Sequence, residues 1–210
     1  MDRIIHWFNH SVFHTLCTAV YRRWLSLPAG GLSGMAELWN SGIYRRIVRS
    51  EVDRQAERLN MKLSPNFSLR ELTYSQTAVR KGIYNEPTEP HVASLRLLCE
   101  NILQPVRAYY GRSFTPSSGY RSEALCEAIG SSRKSQHAKG EAADFEVPGI
   151  SNYDLACWIR DNLDFDQLIL EFYKEGDPNS GWVHCSYKAE GNRKECLTYD
   201  GKQYTVGLTN

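Results

Sequence analysis

The sequence predicts an α+β domain preceded by a helical segment, and three observations carry that prediction. Apolar residues recur at helical spacing in several stretches separated by Gly, Pro, Ser and Asn. Short apolar runs such as Phe165–Phe172 and Trp182–Tyr187 have the length and bounding loops of strands. Helices and strands alternate irregularly, without a βαβ repeat, which argues against a doubly wound parallel sheet.

The first 63 residues read as a helical extension. Ile4, Phe8, Val12, Leu16, Val20 and Trp24 mark an amphipathic helix, broken at Pro28-Ala29-Gly30-Gly31. A second helical stretch covers roughly Ala36–Leu59, and residues 60–66 read as a linker with the boundary near Ser64-Pro65. Residues 64–210 form the second domain. Ser68 and Glu71 have the spacing of a capping box at the start of a helix. Pro87–Pro90 is a loop, and Val92, Leu95, Leu98, Ile102 and Val106 trace one long helix that stops before Gly111. Phe114–Tyr120 is a short strand or turn. Ser122–Ile129 is a helix closed by Gly130, followed by a polar loop over Ser131–Lys139 and a strand over Ala142–Val147. Ser151 and Asp154 open a further helix to Leu163, and a last hairpin is expected around Asp200-Gly201.

Composition excludes several classes. The net charge is +1, so no global field favours nucleic acid or acidic partners. No run of about 18 apolar residues is present to span a bilayer. The six cysteines (17, 99, 126, 157, 185 and 196) are scattered, without a C-x-x-C pair, and read as small buried hydrophobes in a reducing compartment. Residues 1–20 are interrupted by His6, Asn9, His10 and His14 and do not read as a secretory signal, so synthesis is expected in the cytoplasm. His6, His10 and His14 lie near one helical stripe; with no carboxylate beside them they read as a polar face rather than a metal site. Arg22-Arg23, Trp24 and Arg45-Arg46 suit an anionic membrane surface, and a protein partner through residues 1–60 is an equal expectation.

Chemistry concentrates in Ser135-Gln136-His137-Ala138-Lys139-Gly140-Glu141-Ala142-Ala143-Asp144 and Gly181-Trp182-Val183-His184. His137, Asp144 and His184 supply two imidazoles and one carboxylate. A catalytic zinc takes three protein ligands and keeps one position open, whereas a structural zinc takes four. The same set also suits Fe(II) in a facial triad. Gly140 allows a sharp turn after His137, and the small Ala142 and Ala143 leave room beside Asp144. His184 comes from another strand and completes the set only if the two strands are neighbours.

These strings, with Ser118-Gly119-Tyr120-Arg121-Ser122, resemble the M15 family of zinc D,D- and L,D-peptidases. The resemblance runs from about Phe67 to Lys188. That family includes D-alanyl-D-alanine carboxypeptidases and phage L-alanyl-D-glutamate endolysins, and shares its fold with the Hedgehog signalling domain. The resemblance implies a Hedgehog/DD-peptidase-like domain with a central antiparallel sheet and flanking helices. It implies Zn2+ held by His137, Asp144 and His184, and a peptidoglycan stem peptide as substrate. It further implies that Arg121 binds and orients that substrate through a guanidinium able to pair with a carboxylate. Ser135 matches a serine that contacts either substrate or its own loop. A phage or prophage origin, with action on the cell wall after release or as a virion component, fits the missing export signal.

Metal-assisted hydrolysis also needs a general base. Many members of the family carry Glu or Asp three residues before the last histidine; here that position is Gly181. Glu171, Glu175 and Asp177 are the nearest acids. Glu171 is favoured, because it ends an apolar strand and sits diagonal to His184 if that strand pairs antiparallel with Trp182–Tyr187; Asp177, on a loop, is the alternative. Two further readings use the same residues: a zinc-holding module of this fold that does not turn over, and a non-haem iron oxygenase.

Overall fold

The computed structural model describes residues 42–209. The expectations for the first helix, for the His6, His10 and His14 stripe and for Arg22-Arg23 therefore lie outside the described residues. The chain divides into two units, residues 1–60 with 77–84 and residues 61–76 with 85–210. In the first, helix α1 is described over Gly42–Leu59 and ends where the sequence predicts. Helix α3 (Gln76–Lys81) leads into a turn in which the Ile83 N–H donates to the Ala78 carbonyl.

The second unit begins by folding on itself. Lys62 and Ser68 form a β-bridge, and helix α2 (Leu69–Thr73) follows. The Glu71 carboxylate accepts from the Ser68 backbone N–H at 2.8 Å, which satisfies one of the donors a helix start leaves free. Next comes the expected long helix, but it is not uniform. Helix α4 (Glu89–Leu98) passes through a π-helical turn (Cys99–Leu103) into α5 (Gln104–Tyr110). Pro105 has no N–H to give the Asn101 carbonyl, and its ring crowds that turn. The widened turn, in which the Gln104 N–H reaches the Cys99 carbonyl, accommodates both. Val92, Leu95, Leu98, Ile102 and Val106 are all buried as the periodicity requires.

Helix α6 (Glu123–Ala128) is capped by Ser122, whose Oγ accepts from the Leu125 N–H. Inside the predicted polar loop lies one 3-10 turn (Gln136–Lys139). Strand β1 (Ala142–Phe145), helix α7 (Asn152–Asn162, capped by Ser151), and strands β2 (Gln167–Glu171), β3 (Trp182–Ser186), β4 (Glu195–Tyr199) and β5 (Tyr204–Val206) complete the unit. Phe114–Tyr120 is a turn with one bridge, Ser118 to Asp144.

The sheet order is β1-β3-β2-β4-β5. Its first three strands are antiparallel as expected, but β4 runs parallel to β2, so the sheet as a whole is mixed. Strand β3 already has a neighbour on both edges. The outer edge of β1 is bridged by Ser118 to Asp144, so the chain returning from β3 adds at the open edge of β2, and a short return sets β4 antiparallel to β3 and hence parallel to β2. The hairpin around Asp200-Gly201 joins β4 to β5 as predicted. Ala143, Phe145, Leu168, Leu170, Val183 and Cys185 point to one face and merge with α4, α5 and α7 in the core. Side chains alternate along a strand, so Asp144, Ile169, Glu171, Trp182 and His184 share the other face. The cysteines described are free thiols, and Cys99, Cys126 and Cys185 are buried. Among the described residues, no helix is long and apolar enough to cross a membrane.

Candidate metal centre

Three elements converge on that face. Asp144 and His184 are directly paired across β1 and β3. His137 arrives from the 3-10 turn, where the Ser135 Oγ accepts from the His137 N–H at 3.3 Å and Gly140 closes the turn at φ 73. All three side chains are buried: 2 % of His137, 8 % of Asp144 and 7 % of His184 is exposed. Their candidate ligand atoms lie within 4.8 Å of one another.

The proton count points to a cation. His137 Nδ1 lies 2.6 Å from the Gly119 carbonyl oxygen. A carbonyl only accepts, so Nδ1 carries the proton and the neutral ring offers a lone pair at Nε2. Burial holds His137 below its usual pKa, which keeps the ring neutral despite the attraction of Asp144. Nε2 then faces Asp144 Oδ1 at 3.1 Å and His184 Nδ1 at 3.2 Å, while His184 Nδ1 lies 2.8 Å from the same carboxylate oxygen. Burial opposes ionisation of Asp144, but the two imidazoles outweigh it and hold the carboxyl well below the usual range. With His137 Nε2 unprotonated, at most one proton, on His184 Nδ1, is left to join these three groups. A divalent cation satisfies all three, and this donor set fits zinc. The Gly119 contact is of the kind that fixes the tautomer of a metal-ligating histidine.

Arg121 stands beside the centre, its Nη2 donating to Asp144 Oδ2 at 3.1 Å while its N–H donates to the His137 carbonyl. It steadies a ligand and also lines the cleft. Ser135 does both as well: it caps the His137 turn and faces the cleft. The cleft holds about 790 Å³, with Lys134, Lys139 and Gln136 on one wall and Ile169, Glu171 and Trp182 on another.

Ile169 pairs with His184, so Glu171 lies two residues along, diagonal to His184 on the same face. Burial raises the Glu171 pKa and the nearby Asp144 charge adds to the rise. Glu175 and Asp177 fall outside the cleft lining; Asp177 turns back onto its own loop, accepting from the Asn179 N–H at 3.2 Å. Gly181 takes φ 67, and a Cβ there would run into the Glu171 carbonyl oxygen. That position admits no acidic side chain.

Two positioning groups escape a reading of the sequence. Asn85 donates to the Thr73 and Tyr120 carbonyls and accepts from the Ser122 N–H, clamping the backbone on both sides of Arg121. Asp166, 1 % exposed, accepts from Gln136 at 2.7 Å, from Arg193 through a bidentate pair at 2.8 and 2.9 Å, and from Lys188 at 2.8 Å. It ties the residue before His137 to the segment after β3. Asn85 gave no signal beyond preceding Pro87 in a loop. Asp166 is one of two acids, with Glu171, inside the apolar run 165–172, which is itself a signal.

The geometry is that of a metallohydrolase-type centre, with three candidate ligands, an adjacent half-buried carboxylate and a guanidinium over an open cleft. The Peptidase M15 family model matches residues 65–186, more than half of the chain, and the protein belongs to that family. The match spans His137, Asp144 and His184 as well as Arg121 and Glu171. Membership makes the protein a hydrolase of the metallopeptidase kind acting on peptides, and the α+β architecture with its mixed five-stranded sheet is consistent with such a domain. Comparison with curated proteins gives no match.

Proposed function

We propose that this protein is a zinc peptidase that hydrolyses peptide bonds in peptidoglycan stem peptides, as a D,D-carboxypeptidase or an L-alanyl-D-glutamate endopeptidase. The observation that carries the reading is Glu171, a partly desolvated carboxylate on the same sheet face as a three-ligand centre. His137, Asp144 and His184 would hold the ion. Bound there, zinc supplies Lewis acidity toward the scissile carbonyl and lowers the pKa of water. Arg121 holds a substrate carboxylate or carbonyl and fixes the peptide across the cleft. Glu171 accepts the proton of the attacking water and returns it to the departing amine, a task suited to a carboxylate with a raised pKa. Ser135 presents its hydroxyl at the cleft wall while its loop holds His137 in place. A phage or prophage protein that reaches the wall on release completes the proposal.

The test is mass spectrometry of purified peptidoglycan digested by the zinc-loaded protein beside His137→Ala. New stem-peptide fragments only with the intact centre support the reading and name the bond. Intact stems from a folded, zinc-loaded protein across several wall chemotypes refute it in favour of a module that holds metal without turnover.

A further inference from the structure

Strands β4 and β5 lie beyond residue 186, where the family match ends, yet they are built onto the strand that carries Glu171. Tyr199 of β4 pairs with Glu171, and Tyr204 of β5 pairs with Tyr199. Phe172 follows Glu171 in a left-handed conformation, φ 55, that an aromatic residue rarely adopts. Its N–H donates to the Tyr199 carbonyl at 2.8 Å. Its ring lies 5.0 Å from Trp182 and 5.2 Å from Tyr199. Tyr204 stacks on Tyr199 at 4.4 Å and 25°. It remains 58 % exposed and lines the cleft with Trp182 and Glu171. Burial raises the Tyr204 phenol pKa and the Glu171 charge raises it further, so ring and carboxylate share one neighbourhood.

We propose that Tyr204, together with Trp182, forms an aromatic subsite beside Glu171 that takes the apolar face of a sugar ring in a glycan-linked substrate. The proposal rests on the peptidoglycan reading above. Arg121, Lys134, Lys139 and Gln136 elsewhere in the cleft suit the carboxylates and amides of a stem peptide. Large flat apolar surface is what those groups do not serve, and in a wall fragment it is the C–H face of a pyranose. A tyrosine held flat against a second ring offers such a surface with little conformational entropy to lose. Tyr204 is therefore a specificity-determining residue: it ranks substrates by what is attached to the peptide, without touching the reacting atoms.

Two substrates test this: a stem peptide carrying its N-acetylglucosamine–N-acetylmuramic acid disaccharide, and the same peptide without sugar. In the zinc-loaded full chain, Tyr204→Ala lowers the preference for the disaccharide-linked substrate roughly three- to tenfold through KM, and Tyr204→Phe keeps it. An unchanged preference, with both substrates slowed equally, overturns the subsite and leaves Tyr204 as a prop for Glu171. A loss confined to peptides with a free side-chain ammonium overturns it in favour of cation–π recognition. Saturation-transfer NMR with the disaccharide alone reads the subsite without cleavage. Transfer to sugar C–H protons in wild type and His137→Ala, lost in Tyr204→Ala at an unchanged thermal midpoint, supports the proposal even if no peptide is cut. Absence of transfer in wild type overturns it even if peptides are cut.

Discussion

Glu171 and His184 rise from the same face of the sheet, diagonal to each other across the β2–β3 ladder, because Ile169 is the residue directly opposite His184. A shift of one residue in that register would turn the carboxylate into the core, away from His137, Asp144 and His184.

The first prediction concerns Glu171. Glu171→Gln keeps fold and zinc content but lowers kcat by about 10²–10⁴-fold. In wild type the active form is the carboxylate, and burial raises its pKa. Activity therefore rises with pH on the acid side through a midpoint above the ordinary Glu value, and the Gln variant lacks that limb. A pH–rate profile of kcat/KM shows it; an acid limb retained in Glu171→Gln would assign the base elsewhere.

Metal removal has a thermal signature. An ion bound only by the folded chain stabilises by about 4 kcal/mol at a thousandfold excess over its Kd. A chelator should lower the unfolding midpoint of wild type and leave His137→Ala where it was. Equal shifts in both proteins would mean that the ion sits elsewhere.

Gly181 should resist substitution. Its φ of 67 and the collision of any Cβ with the Glu171 carbonyl predict that Gly181→Ala costs about 1–3 kcal/mol. Gly181→Asp should cost at least as much and add no activity. Denaturant unfolding measures the first and steady-state kinetics the second; a faster Asp variant would restore the family's usual position for the base.

Asp166 links stability to pH. Burial pushes its pKa up, but hydrogen bonds from Arg193 and Lys188 prevail and hold it well below the usual range. A depressed carboxyl stabilises the fold above the unfolded-state pKa of about 3.9, and that contribution is lost as pH falls toward the folded value. Asp166→Ala should cost roughly 2–4 kcal/mol at pH 7, the lower end reflecting the half-exposed Arg193, and much less near pH 2. Urea midpoints at the two pH values decide it; a penalty constant with pH would make the defect one of packing.

Much of this was legible in the chain. Ser68, Ser122 and Ser151 sit at the helix starts their sequences announce, and Gly111 and Gly130 at the ends. Local hydrogen bonds and backbone sterics decide such features, and these need only neighbouring residues. The widened turn before Pro105 was missed because helical periodicity continues through it unchanged. Local sequence also marked His137, Asp144 and His184 as candidate ligands by type and spacing.

The meeting of those three residues was beyond the sequence, since it depends on β1 and β3 being neighbours in one register. So was the parallel addition of β4, which follows from the occupied edges of β3 and carries Tyr204 to the cleft. Asn85 and Asp166 act on groups about 30 to 37 residues away, and only chain closure brings such partners together. The sequence by itself determined which residues have the chemistry; strand pairing, a long-range choice set by which edges remain free, decided where that chemistry converges.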